Sequence, residues 1–151
     1  MGFMAEGESS AAGDPDANKA IVGRLGELWN TGNLVIADEI FGADFVNHDP
    51  NDPNIINLEG YKGFVAATRT SFPDFHVTNE DLVAESDKVA KRYTVTGTHR
   101  GEFIGIPPTE NHITITGINF YRIASGKIVE TWWSSDALGM LQQLGVIPPP
   151  G

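Results

Sequence analysis

The amphipathic period of this chain switches once, close to Pro73, and that switch restricts its architecture more than any other feature. Ahead of it, apolar side chains recur at helical spacing. Ala20, Ile21, Leu25, Leu28 and Trp29 do so over 16–30, Leu34, Ala37, Ile40 and Phe41 over 34–41, and Tyr61, Phe64, Val65 and Thr68 over 58–71. Beyond it, 75–84, 88–99, 112–123 and 127–135 carry Val, Ile, Thr and aromatics with strand character. Asp87-Lys88 and Ser125-Gly126 are short enough to be hairpin turns, and the prolines and glycines of Thr98–Asn111 predict a longer hairpin arm with a bulge. A brief strand or turn over 44–48 and a loop of Asp, Asn and Pro over 49–54 part the second helix from the third. A last helix over 137–144 begins at Ser135 or Asp136; Gly145 ends it, and Pro148-Pro149-Pro150 cannot continue it.

Helices first and then sequential hairpins is the α+β pattern. Such hairpins build one strongly curved antiparallel sheet, and the amphipathic N-terminal helices must cover its concave face. That packing leaves a cone with an open mouth, a natural place for a pocket. The 151 residues suffice for one domain of this kind and not for two. The domain is expected over 16–147. Residues 1–15, mostly Gly, Ser, Ala and acids with little to bury, read as a disordered leader, and 148–151 as a short Pro-rich tail.

The net charge of −10 argues against nucleic acid, whose phosphates need clustered Lys and Arg. With no cysteine, disulfides and thiolate chemistry are excluded. No apolar run approaches the roughly 20 residues that cross a bilayer, so no membrane partner is expected. The first residues carry neither a basic nor an apolar signal region, which is compatible with a cytoplasmic protein. His48, His76, His99 and His112 never fall at a metal-ligand spacing, and there is neither a Gly-rich phosphate loop nor a nucleophile elbow. We therefore expect no metal and no cofactor.

The chemistry-bearing candidates cluster late in the chain. Strict alternation along 127–136 puts Ile128, Glu130, Trp132, Ser134 and Asp136 on one face and Val129, Thr131, Trp133 and Ser135 on the other. One indole then enters the cone, while the other covers the back of the sheet or an oligomer interface. Asp136 ends this strand beside apolar mass, where desolvation would raise its pKa toward the range useful for proton transfer. It is equally well placed to cap the following helix. Asn119 and Tyr121 lie on one face of 112–123, and a buried amide there needs partners: a substrate carbonyl or a neighbouring loop. Arg92 either faces solvent or pairs inside with Glu130 or Asp136. His48 and His99 are candidates for the pocket mouth.

In order along the chain, Phe45-Val46-Asn47-His48-Asp49-Pro50, Ser71-Phe72-Pro73-Asp74-Phe75 and Gly97-Thr98-His99-Arg100-Gly101-Glu102-Phe103 come first. Gly105-Ile106-Pro107-Pro108-Thr109, Gly126-Lys127-Ile128-Val129-Glu130-Thr131-Trp132, and Asp136 with Leu141-Gln142-Gln143-Leu144-Gly145 follow. With these stretches the chain resembles the SnoaL-like polyketide cyclase (ester cyclase) family of the NTF2-like superfamily over about 16–147. The resemblance implies an NTF2-like cone and cofactor-independent ring closure by aldol condensation, with Asp136 as general acid/base. His48, Arg92, His99, Asn119, Tyr121, Trp132 and Trp133 would then line the substrate pocket, with Glu130 a possible second carboxylate. Where members of the family carry Gly-Lys and histidines, this chain has Glu110-Asn111, Thr131 and Arg122. The expected partner is a small apolar, carbonyl-rich molecule. The alternatives are a non-catalytic binder and an epoxide-hydrolase-like site built from Glu130, Asp136 and Arg92. Apolar area on both sheet faces implies a homo-oligomer, at least a dimer.

Overall fold

The computed structural model describes residues 13–149. Helix α1 (Pro15–Thr31) starts where the Asp14 carboxylate accepts the Ala17 N–H at 3.0 Å. It stops at Gly32, whose φ of 73° is a left-handed cap that glycine adopts without strain. Helix α2 (Val35–Ile40) runs directly into strand β1 (Phe41–His48), so the short strand expected at 44–48 begins earlier. Helix α3 (Leu58–Ser71) is capped by Asn57, which accepts the Gly60 N–H at 2.8 Å. Strands β2 (His76–Glu85), β3 (Lys88–Thr98), β4 (His112–Ala124) and β5 (Lys127–Trp132) follow, then helix α4 (Ala137–Gln143). Of the expected leader 1–15 only the last three residues fall among those described, and of the tail only 148 and 149.

The strands form one sheet in the order β1-β5-β4-β3-β2, with two free edges, so it does not close. The three sequential pairings are antiparallel, whereas β1, arriving from the helices, joins β5 in parallel and makes the sheet mixed. Ser125-Gly126 is a two-residue turn as expected; the other tight turn lies one residue earlier than expected, at Ser86-Asp87. The arm after β3 leaves the ladder as a loop with an isolated Phe103–Ile106 bridge instead of a bulged strand.

A bulge does occur in β5. Glu130 pairs with Arg122 and Ile128 with Ile123, which leaves Val129 as the extra residue. The bulge breaks strict alternation, so Ile128, Thr131 and Trp133 turn toward the helices, and Glu130 and Trp132 turn away. The core lies between that inner face and the helices. Val22, Leu25 and Leu28 of α1 and Val65 of α3 are fully buried with Val89 and Ile128 from the sheet. Each such side chain contributes roughly 1.5–3 kcal/mol over leaving it in water.

Candidate active site

The helices and the inner sheet face do not fill the space between them. They enclose a cavity of about 500 Å³. Trp29 of α1, Phe64 of α3, Phe75 and Trp133 supply aromatic walls, and Lys91, Tyr93, Asn119 and Tyr121 the polar part of the floor. Asp49, Asn51 and Asp52 from the loop after β1, Ile104 from the arm and Met140 from α4 complete the lining. Trp29 is fixed by donating from Nε1 to Tyr61 Oη at 2.9 Å, and its ring meets Trp133 edge-on at 6.3 Å.

The floor is a satisfied amide–phenol network. Tyr93 Oη donates to Asn119 Oδ1 at 3.2 Å, and the Ser134 N–H donates to the same oxygen at 3.1 Å. Asn119 Nδ2 donates to Tyr121 Oη at 3.2 Å, which leaves the Tyr121 hydroxyl proton free to donate elsewhere. The chain makes room for this network at Gly117, where any Cβ would collide with Tyr93 Oη. Burial raises both phenols, Tyr93 to about 12 and Tyr121 well above its ordinary value, so both stay protonated donors.

Beside them, Lys91 is 4% exposed, and desolvation lowers its amine from 10.5 to about 7. Asp49, 8% exposed, is a carboxylate on the cavity lining. Desolvation raises it, partly offset by the backbone N–H groups of Asn51 and Asp52. The loop carrying Asp49 is anchored beneath it: Thr131 Oγ1 donates to Asn47 Oδ1, and Asn47 Nδ2 to the Ile55 carbonyl.

Of the residues singled out in the sequence, Asn119, Tyr121 and Trp133 come together in this cavity. The others lie elsewhere. Arg92 is on the outer face, bound to Asp81 at 2.7 Å, because its neighbour Lys91 takes the inward position. His48 and Trp132 stack outside at 5.3 Å. Glu130 accepts from His48 at 2.8 Å and from Arg122 at 3.0 Å, and these partners, His48 first, hold it below the usual carboxylate range. His99 is buried against Phe72; the Thr109 N–H donates to its Nδ1 at 3.2 Å, so that nitrogen is the acceptor. Asp136 caps α4 by accepting the Gly139 N–H at 2.9 Å, and it borders a separate shallow depression with Arg92 and Thr116 on the outer side. Glu130, Asp136 and Arg92 are therefore not gathered around one water site. Lys91, Tyr93 and Asp49 are the site residues missing from the sequence reading. Lys91 has a signal, since it shares the parity of Val89, Tyr93 and Val95; Asp49 belongs to a stretch that resembles the family, but the loop chemistry of 49–54 gives it no role.

Among the described residues no helix is long and apolar enough to cross a membrane, and no group of three or more His, Cys, Asp or Glu could hold a metal. The SnoaL-like polyketide cyclase profile matches residues 19–144. The nogalonic acid methyl ester cyclase of Streptomyces nogalater is 29% identical over 119 residues, 78% of this chain and 89% of that protein. IdmH of Streptomyces antibioticus, described as a candidate polyketide cyclase, superposes with a TM-score of 0.73 at 36% identity, covering 85% of this chain and 99% of that one. TsrD of Streptomyces laurentii reaches a TM-score of 0.82 at 24% identity over 89% of this chain and 98% of that one, a likeness of fold.

Proposed function

Because the chain belongs to the SnoaL-like polyketide cyclase family, we propose that its cavity folds a small, carbonyl-rich polyketide-like molecule and closes a ring in it by aldol-type condensation. The observation that carries this is the aromatic-walled cavity with polar groups on its floor and carboxylates on the loop beside it. Apolar walls hold a flexible chain in a reactive fold, which lowers the entropic part of the barrier. The protonated phenols of Tyr121 and Tyr93, set by Asn119, offer hydrogen bonds where a carbonyl oxygen gains charge in enolisation. Asp49 supplies a carboxylate whose raised pKa suits proton exchange with an activated carbon. The acid/base role expected of Asp136 needs the reacting carbon at the depression beside α4, so it is the competing assignment within this proposal.

The experiment supplies a polyketide methyl ester of the kind named for the Streptomyces nogalater relative and follows ring closure by chromatography. Turnover by the wild type, lost in Asp49→Asn and kept in Asp136→Asn, supports the assignment. The opposite pattern moves the chemistry to Asp136. Tight binding without turnover favours the second reading, a binding protein, for which the floor itself speaks: its polar groups are an amide, an amine and phenols, with no carboxylate.

The proposal includes self-association through the outer sheet face, where Val46, Ile118 and Phe120 are about half exposed. Light scattering at micromolar concentration should give at least twice the mass of one chain. A monomer would remove this part of the proposal.

A further inference from the structure

We propose that Lys91 is an amine nucleophile that captures a carbonyl of the cavity's ligand as an imine, making the floor a site for 1,3-dicarbonyl compounds. This rests on reading the cavity as a site for carbonyl-rich molecules, and it adds a covalent step to that reading. The placement follows from the sheet. Val89, Lys91, Tyr93 and Val95 alternate toward the cavity along β3, and Lys91 sits directly across from Asn119 in β4. A lysine in such a position ordinarily reaches a carboxylate or extends to water. Here, among the described residues, Lys91 has no ion-pair partner and Nζ no hydrogen-bond partner. Nζ lies 5.3 Å from the Tyr93 ring centroid and 5.4 Å from that of Tyr121.

The ionisable groups around it are few. Tyr93 and Tyr121 flank it on the sheet, Tyr61 faces the cavity from α3, and Asp49 and Asp52 lie on the loop after β1 without pairing to it. Contact with the aromatic faces favours the cation by roughly 0.5–2 kcal/mol. Loss of water outweighs it, so the amine sits at about 7. Near neutral pH about half of the molecules then hold a free lone pair, against about one in three thousand for an ordinary lysine.

The step balances without an oxidant or a further reactant. The Nζ lone pair forms a C–N bond to the carbonyl carbon, and the C=O π pair moves to oxygen, which is protonated as nitrogen loses a proton. The Tyr121 hydroxyl, accepting from Asn119 and still holding its own proton, is the donor to that oxygen. The hydroxyl takes the nitrogen's second proton, the C–O bond breaks, water leaves, and the nitrogen lone pair completes a C=N bond. With a 1,3-dicarbonyl, loss of the proton between the two carbonyls and gain of one at the imine nitrogen give a conjugated enaminone. In a longer substrate the same loss gives an enamine carbon ready to attack a second carbonyl.

The test treats the full chain with 2,4-pentanedione and follows near-ultraviolet enaminone absorbance, intact mass and peptide mapping. The expected result is a single adduct, one diketone less one water, on Lys91. Its rate should rise with pH and level off just above neutrality, and at neutral pH it should exceed the rate at every other lysine. Lys91→Met, of similar length and apolar, should lose the adduct while keeping its circular dichroism. Label spread over the other lysines, or a wild-type rate that climbs through pH 9 without a plateau, overturns the proposal without depending on any variant. Quenching of Trp29 and Trp133 fluorescence by an aromatic 1,3-diketone separates the two failures. Binding without adduct overturns the role of Lys91 and leaves the cavity reading standing; no binding overturns both.

Discussion

On the outer face of the sheet Arg92 meets Asp81, and Glu130 sits between His48 and Arg122. On the inner face of the strands that carry Arg92 and Arg122, Lys91 and Asn119 have no carboxylate bonded to them, only phenols, a backbone N–H and aromatic surface. Both faces are polar, and what differs is water. Outside, charges are paired and hydrated, and exposed pairs of this kind contribute at most about 1 kcal/mol. Inside, a polar group must find a partner or change its protonation, so its properties shift far more. Titration and hydrogen-bond supply therefore mark the inner face as the place for chemistry, although the outer face holds more charged residues.

The largest expected effect is on turnover. Asp49→Asn keeps the shape and the loop but removes a proton carrier, and kcat should fall by about 10²–10⁴-fold. Asp136→Asn, whose side chain still caps α4, should stay within a few-fold and change stability by less than about 1 kcal/mol. Equal losses in both would break the division between inside and outside.

The next effect is on stability against pH. The folded-state pKa of Lys91 lies below its unfolded value, so the unfolded chain binds the extra proton between about 7 and 10.5. Stability should then rise with pH across that window, by on the order of 1.4 kcal/mol per pH unit at most. Urea unfolding between pH 7 and 9.5, below the range of the tyrosines, should show the slope in the wild type and its loss in Lys91→Met. A flat wild-type profile would mean that the amine is hydrated.

Smaller again is Asn119→Leu, which strands the Ser134 N–H and two phenols and should cost about 2–3 kcal/mol in urea unfolding. Its outer counterpart, Arg92→Ala, leaves Asp81 in water and should stay within about 0.5 kcal/mol. If the two matched, the inner network would have to be open to solvent.

Local periodicity determined much of this protein. The approximate spans of α1, α3 and α4, the Ser125-Gly126 hairpin and the shared face of Asn119 and Tyr121 follow from which residues repeat every three to four positions and which every two. The same parity already pointed Lys91 inward and Arg92 outward, yet Arg92 was the candidate, since a guanidinium beside possible carboxylates looks like a site. What tertiary structure decided was everything that depends on a partner far along the chain. The bulge at Val129 is visible only in the pairing of β5 with β4, and it moves Ile128 from the face expected for Glu130 and Trp132 to that of Thr131 and Trp133. The parallel arrival of β1 carries the loop after it to the cavity, which turns Asp49 from a loop acid into a buried one. Asp136 lies in sequence between Ser135 and Ala137, which line the cavity, yet it borders the outer depression instead. A side chain's face is set by register with its neighbour, and register is a long-range property that no local pattern encodes.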